Sequence, residues 1–354
     1  MKKIPFSEDE LQIVGRYMVA GNPKGKAKLN TPISAKENIL AFLRNETPCW
    51  MPDGDMITIT PDILPDNVAR GFVQEANPTD RKGGPDLFGV EWDYIPEVGG
   101  SMVRPGSPVL EDANDWKKVI KFPDIEAMDW EGCAKRNAEY LGDGSDPVWT
   151  VQFSGMFERL ISFMDFEQAA VALIDEDQKD AVCELFDALT DLYIKIIDKS
   201  VEYFHITGYL FHDDWGSQQA PFFSKATFRE IIAPRIRRLV DHCHKNNVIF
   251  ELHSCGHTES MVDAICELGI DMWRPQPMND MVRLYNEFGD KIKFGVRAPM
   301  FTDDSPVEEQ VAAARELVRQ FSQPGKFIFT NFFLEPDVFR KALYEESRRA
   351  YFEM

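Results

Sequence analysis

The sequence lacks the features that would place it in a membrane, in an oxidising compartment or on a nucleic acid. No apolar run approaches the roughly 20 residues of a membrane span, and Met1-Lys2-Lys3-Ile4-Pro5 leads into no signal-peptide core. Cysteine is sparse. The six present (Cys49, Cys133, Cys183, Cys243, Cys255, Cys266) are scattered without a disulfide-framework spacing. The expectation is a soluble, cytoplasmic protein with reduced thiols. Positive charge is also short: 39 Lys and Arg against 59 Asp and Glu leave a net charge of -20. That balance argues against nucleic acid and anionic membrane surfaces, which need a basic face. A polyanionic substrate would need Arg concentrated locally. No dinucleotide-binding glycine fingerprint is present.

What is there is core material, with 44% hydrophobic and 12% aromatic residues. From Val148 the chain alternates regularly. Strands are expected at Val148-Phe153, Thr207-Asp214, from Val248, at Asp271-Pro275, Lys291-Arg297 and Phe327-Phe333. Helices are expected between them, over 156–174, from Asp177, at Ser224-Asn246, Glu259-Leu268, Met281-Phe288 and Pro306-Phe321, with a last helix from Pro336. Repeated strand–helix units imply a parallel sheet. About eight of them close into a (β/α)8 TIM barrel of the α/β class, and the length suits such a barrel with an extension. A doubly wound sheet is the alternative. We expect one domain over 1–354, with an N-terminal helical extension over 1–47. There Ser34 and Glu37 form a capping box, and Gly21 to Pro32 reads as loop. An irregular insert follows over 54–140. Its Phe88, Trp92, Gly99 and Gly100 suggest an ordered lid or wall.

Barrel enzymes carry their chemistry at strand C-termini. One end stands out, Val248-Ile249-Phe250-Glu251-Leu252-His253-Ser254-Cys255-Gly256. Strand alternation puts Glu251, His253 and Cys255 on one face. A carboxylate, an imidazole and a thiol there are costly unless paired or metal-bound, and all three are zinc-type ligands. A buried Cys is more often a small hydrophobe, so the pair alone does not define a site. The preceding strand ends in His212-Asp213-Asp214-Trp215, and a neighbouring strand lies only about 5 Å away. Asp213 and Asp214 are therefore candidates for proton transfer, although adjacent acids can also cap a helix. Aromatic strand ends, Phe153 and Trp215 among them, could line an apolar pocket.

Asp213-Asp214-Trp215-Gly216-Ser217-Gln218 together with Leu252-His253-Ser254-Cys255-Gly256 resembles the uroporphyrinogen decarboxylase superfamily, more narrowly its cobalamin-linked methyltransferase branch. The founding decarboxylase uses an Arg-bearing segment after the first strand. Here Cys49-Trp50-Met51-Pro52-Asp53-Gly54-Asp55 has no Arg and two Asp, so that activity is not expected. In the branch, zinc is bound by a His-x-Cys pair, matched by His253 and Cys255, and by a later Cys. This chain departs there, since Phe327-Ile328-Phe329-Thr330-Asn331-Phe332-Phe333 has none.

A harder third ligand, Glu251, Asp214 or Glu335, would leave the metal a stronger Lewis acid, suited to an ether oxygen. The resemblance thus implies the methyltransferase I component of an O-demethylase. It would move a methyl group from a small methoxylated, aromatic substrate to the Co(I) of a partner corrinoid protein. His253, Cys255 and Glu251 or Asp214 would hold zinc, and Asp213 or the remaining acid would handle the proton. Phe153, Trp215, Gln276 and Asn331 would contact the substrate. A homodimer is left open. The alternatives are a metal-independent lyase or decarboxylase of the same superfamily, with His253 and Asp214 in acid–base roles, and a non-catalytic binding barrel.

Overall fold

The computed structural model describes residues 3–19, 22–64, 66, 74–76, 83–96, 100–330 and 335–354. It contains a central parallel sheet of six strands, with helices alternating along the chain, the α/β pattern of a (β/α)8 TIM barrel. Two compact units are distinguishable. Among the described residues no helix is long and apolar enough to cross a membrane.

The first unit comprises Met1–Thr58, Leu141–Val148 and Asp271–Met354. Its opening corrects the expected helical extension. Ile13–Val19 and Asn22–Leu29 pair as an antiparallel hairpin, where a loop was expected over 21–32. The Lys and Gly residues of this stretch disguise a period-two pattern. Ala27 and Leu29 pack with Ala35, Cys49, Trp50 and Tyr344. Lys26, almost fully buried, is tolerated because its ammonium lies 2.9 Å from both Asp53 and Glu335. Burial and the nearby Asp53 push the Glu335 carboxyl up to about 8.

The capping box at Ser34 and Glu37 forms as expected and starts the helix Ala35–Leu43. Asp53 forms an isolated parallel bridge to Thr330, and the strand that follows is Ile57–Ile59. Where the last strand was expected, from Phe327, Lys326–Phe327 pairs antiparallel with Ser322–Gln323, and Phe329 and Thr330 form parallel bridges to Gly295 and Asp53; residues 331–333 of that expected strand lie outside the described residues. Asp53 and Asp55 are not the bare acids their sequence suggests, since Arg340 of the C-terminal helix Asp337–Glu353 pairs with both.

The second unit, Ile59–Tyr140 and Trp149–Ile270, carries the site. Strand β1 (Val148–Gln152) leads into helices α1 (Phe157–Met164) and α2 (Phe166–Ala172), broken at Asp165, whose φ is 61°. The long α3 (Lys179–Phe204) precedes β2 (Gly208–Asp214), and α4 (Ala233–Lys245) precedes β3 (Ile249–Cys255). A π-helical turn, Phe228–Ile232, sits just before Pro234, which lacks the N–H that regular α geometry needs. The parallel register aligns Trp149 with Gly208 and Gly208 with Ile249.

Within the insert, Gly84–Pro85, Glu91–Ile95 and Gly100–Val103 form a small antiparallel sheet. Asp86 anchors it, accepting from the amides of Phe88 and Val90 and from the Trp92 indole at 2.8–2.9 Å. Gly99 lies outside the described residues.

Candidate metal centre

Strands β2 and β3 run in parallel with His212 opposite His253, Asp213 opposite Ser254, and Asp214 opposite Cys255. Alternation then sorts the side chains. His212, Asp214, His253 and Cys255 are half-buried, whereas Phe211, Asp213, Leu252 and Ser254 are buried. The two imidazoles stack with centroids 4.8 Å apart and planes 27° apart. Cys255 Sγ lies 3.7 Å from His253 Nε2. With ordinary bond lengths, a tetrahedral zinc ion holds a sulfur and a nitrogen ligand about 3.6 Å apart. The donor atoms of His212, His253 and Cys255 all fall within 4.8 Å of one another. Two nitrogens and a sulfur at that spacing fit a zinc-type ion with an open coordination position, the pattern of a catalytic site.

A second group shares one residue with the first: Glu158, His212 and Asp214 also lie within 4.8 Å of one another. His212 Nδ1 is 3.0 Å from the carbonyl oxygen of Phe153 and 3.2 Å from Glu158 Oε2. Glu158 is buried in the first turn of α1.

That turn is held by Asp213 across the strand. Asp213 Oδ2 accepts from the amides of Met156 (2.9 Å) and Phe157 (3.1 Å) and from the Trp215 indole (2.8 Å). Its Oδ1 accepts from the amides of Glu158 (2.8 Å) and Asp214 (3.1 Å). A carboxylate at a helix N-terminus satisfies amides that have no intrahelical acceptor and matches the helix dipole. Burial raises the Asp213 carboxyl to about 6, with the Glu158 amide and the Trp215 indole pulling it back down, so it is ionised at neutral pH. Gly155 permits this approach, because a Cβ there would come within 2.6 Å of the Asp213 side chain. Gly256, with φ of +94°, packs so tightly on Gly216 that a Cβ would lie 2.2 Å from its backbone.

The expected site residues are thus partly regrouped. His253 and Cys255 are together. Glu251 is fully buried deeper in β3 and belongs to neither group of metal-competent residues; His212 stands there instead. Asp213 faces away from the cluster into the core, because it alternates with His212 and Asp214. Trp215 is fully buried, its indole on Asp213 and its ring 5.0 Å from Phe228, so it does not present a surface to a substrate. Phe153 does adjoin the site, its ring 6.3 Å from that of His212. Gln276 follows the strand Met272–Pro275 of the first unit, where its carbonyl closes a turn with Asn279. Asn331 lies outside the described residues.

Sequence reasoning missed His212, Glu158 and Arg159. The first was recoverable from strand alternation applied to β2 as it was to β3. For the others the signal was an adjacent acid and base, Glu158-Arg159, inside a helix that is apolar elsewhere except at Ser162.

Residues 155–330 match the family model described as uroporphyrinogen decarboxylase (URO-D), a span that includes Glu158, His212, His253 and Cys255. The chain belongs to the uroporphyrinogen decarboxylase superfamily. Among solved structures, a methyltransferase from Methanosarcina mazei is similar over 90% of this chain and 99% of its own, with a TM-score of 0.61 and 16% identity. At that identity the likeness shows the fold. An endo-beta-1,4-xylanase from Gloeophyllum trabeum is similar over 64% of this chain and 82% of its own, with a TM-score of 0.38 and 10% identity. No curated protein matches the chain.

Proposed function

We propose that this superfamily member is a corrinoid-dependent methyltransferase, the methyl-transferring component of an O-demethylase. A small methoxylated, aromatic substrate would give up its methyl group to the Co(I) of a partner corrinoid protein. The observation that carries this reading is the His212–His253–Cys255 cluster at adjacent strand ends of a (β/α)8 fold. The likeness of that fold to the Methanosarcina mazei methyltransferase supports it.

In this reading His212, His253 and Cys255 hold a zinc-type ion, with Cys255 as thiolate. When bound, the ion supplies a Lewis acid for the leaving oxygen. The sulfur-poor donor set suits an ether substrate better than a thiol, since a second thiolate would soften the ion. Asp213 is committed to α1, so the proton role falls to Asp214, half-buried beside His212. Phe153 forms an aromatic wall, and Gln276 and Asn331 remain proposed substrate contacts. In the overall reaction the methoxy C–O bond breaks, the methyl group passes to cobalt, and the leaving oxygen takes a proton.

The test is turnover of metal-loaded protein with cob(I)alamin and a panel of methoxyarenes. We expect methylcobalamin and the corresponding phenol in equal amounts, with a loss of at least about 100-fold in Cys255→Ala. Methyl transfer that survives both chelation and Cys255→Ala would show that no metal is needed, and absence of methylcobalamin from metal-loaded protein with every methoxyarene would favour the lyase reading, in which His253 and Asp214 work as acid and base.

A further inference from the structure

A histidine ligates a metal through one ring nitrogen only while the other is protonated, and the acceptor facing the second nitrogen decides which is which. His212 has two such acceptors on Nδ1, the Phe153 carbonyl at 3.0 Å and Glu158 Oε2 at 3.2 Å. A backbone carbonyl can only accept, so Nδ1 facing it carries the hydrogen and Nε2 carries the lone pair. The ring plane is set as well, by its stacking on His253.

We propose that Glu158 is a positioning residue for this centre. It fixes the tautomer and orientation of His212, and its charge makes the imidazole a stronger donor. The inference rests on the metal-binding reading given above. Three features of the structure support it.

Glu158 is only 5% exposed, so its carboxylate is not an ordinary solvated surface acid. A charge kept in such a place needs a partner, and His212 Nδ1–H is one. The residue also sits in the first helical turn, next to the strand end. Its own amide donates to Asp213 Oδ1 at 2.8 Å, so the backbone that carries it is fixed independently of its side chain. Finally, the relay runs through short links within one unit: Asp213 holds the start of α1, α1 carries Glu158, and Glu158 holds His212. Substituting the Glu158 side chain leaves the backbone bond to Asp213 in place, so the helix start should survive.

The experiment is equilibrium competition for zinc against a chromophoric chelator, with Co(II) absorption spectra at saturation. It compares wild type, Glu158→Ala and Glu158→Gln. A carboxylate that only orients a ligand typically changes affinity by about 10–100-fold. Glu158→Ala should therefore bind zinc about 10–100-fold more weakly, while its saturated Co(II) spectrum, including the thiolate charge-transfer band, matches wild type. Glu158→Gln, which keeps an acceptor oxygen but loses the charge, should fall between the two.

Unchanged affinity in Glu158→Ala would overturn the inference, showing that the Phe153 carbonyl alone sets the tautomer. A Co(II) spectrum altered at saturation would also overturn it, making Glu158 itself a ligand. Wild type that binds neither metal would instead overturn the metal reading on which the inference rests, and that failure is visible before any variant is compared.

Discussion

Replacing Asp213 should unfold or loosen the site, not silence an otherwise intact enzyme. Asp213→Ala removes the acceptor of five N–H groups, those of Met156, Phe157, Glu158, Asp214 and the Trp215 indole. Each buried donor left unsatisfied costs about 1–3 kcal/mol, without simple additivity. A loss of at least about 3 kcal/mol is expected, read as a fall in the denaturation midpoint. Asp213→Asn is the sharper variant, since it keeps the shape but points an NH2 at a crowd of donors. It should still cost about 2 kcal/mol or more. An Asn variant with wild-type stability and no turnover would contradict this, and would return Asp213 to the proton-transfer role its sequence position suggests.

Arg159→Met should destabilise the second unit by about 3–5 kcal/mol, because it strands two buried carboxylates. Arg159 is fully buried. Its Nη2 lies 2.7 Å from Asp66 Oδ2, and its Nη1 bonds Asp86 and, at 3.1 Å, Ser162 Oγ. The guanidinium carbon also lies 4.8 Å from the Phe88 ring centroid and 5.6 Å from that of Phe163.

The pair therefore ties the insert to α1, the helix that carries Glu158. Burial already raises the Asp66 carboxyl, with Arg159 opposing the rise. Without the Arg the rise is unopposed, so a folded carboxyl protonates above its unfolded value. A group raised in this way favours the fold at low pH and loses that contribution as pH climbs through its folded pKa. The deficit of Arg159→Met should therefore be smaller at pH 5 than at pH 8 in urea titrations. A loss under about 1 kcal/mol, equal at both pH values, would show that the triad is not held by charge. Arg159→Lys should recover little, since an ammonium cannot bridge two carboxylates with a planar fork.

The sequence was most readable where burial imposes a period. The apolar runs ending at Asp214 and Cys255 are strands because both of their faces are covered, and the helix Met281–Phe288 appears with the boundaries its 3.6-residue spacing suggests. Reading failed where charge stands in for apolarity. The hairpin over 13–29 hides its buried face behind Lys26, whose partners Asp53 and Glu335 are remote in sequence.

The site failed in the same way. Asp213 and Asp214 look equivalent as letters, yet alternation sends one to the core and the other to the cluster. Glu251 has the right face by counting, but the face continues inward, and only the end of the strand meets His212. Which acid or imidazole completes a metal site depends on the neighbouring strand's register, and a single strand's sequence does not contain it.

The most direct measurement is the metal content of protein purified without chelators, with wild type, Cys255→Ala and Glu251→Gln side by side. The account predicts about one equivalent of zinc in wild type, its loss in Cys255→Ala, and its retention in Glu251→Gln. Wild type that stays metal-free after incubation with zinc, or a Cys255→Ala variant that binds it as tightly as wild type, would contradict the metal centre and the methyl-transfer reading built on it.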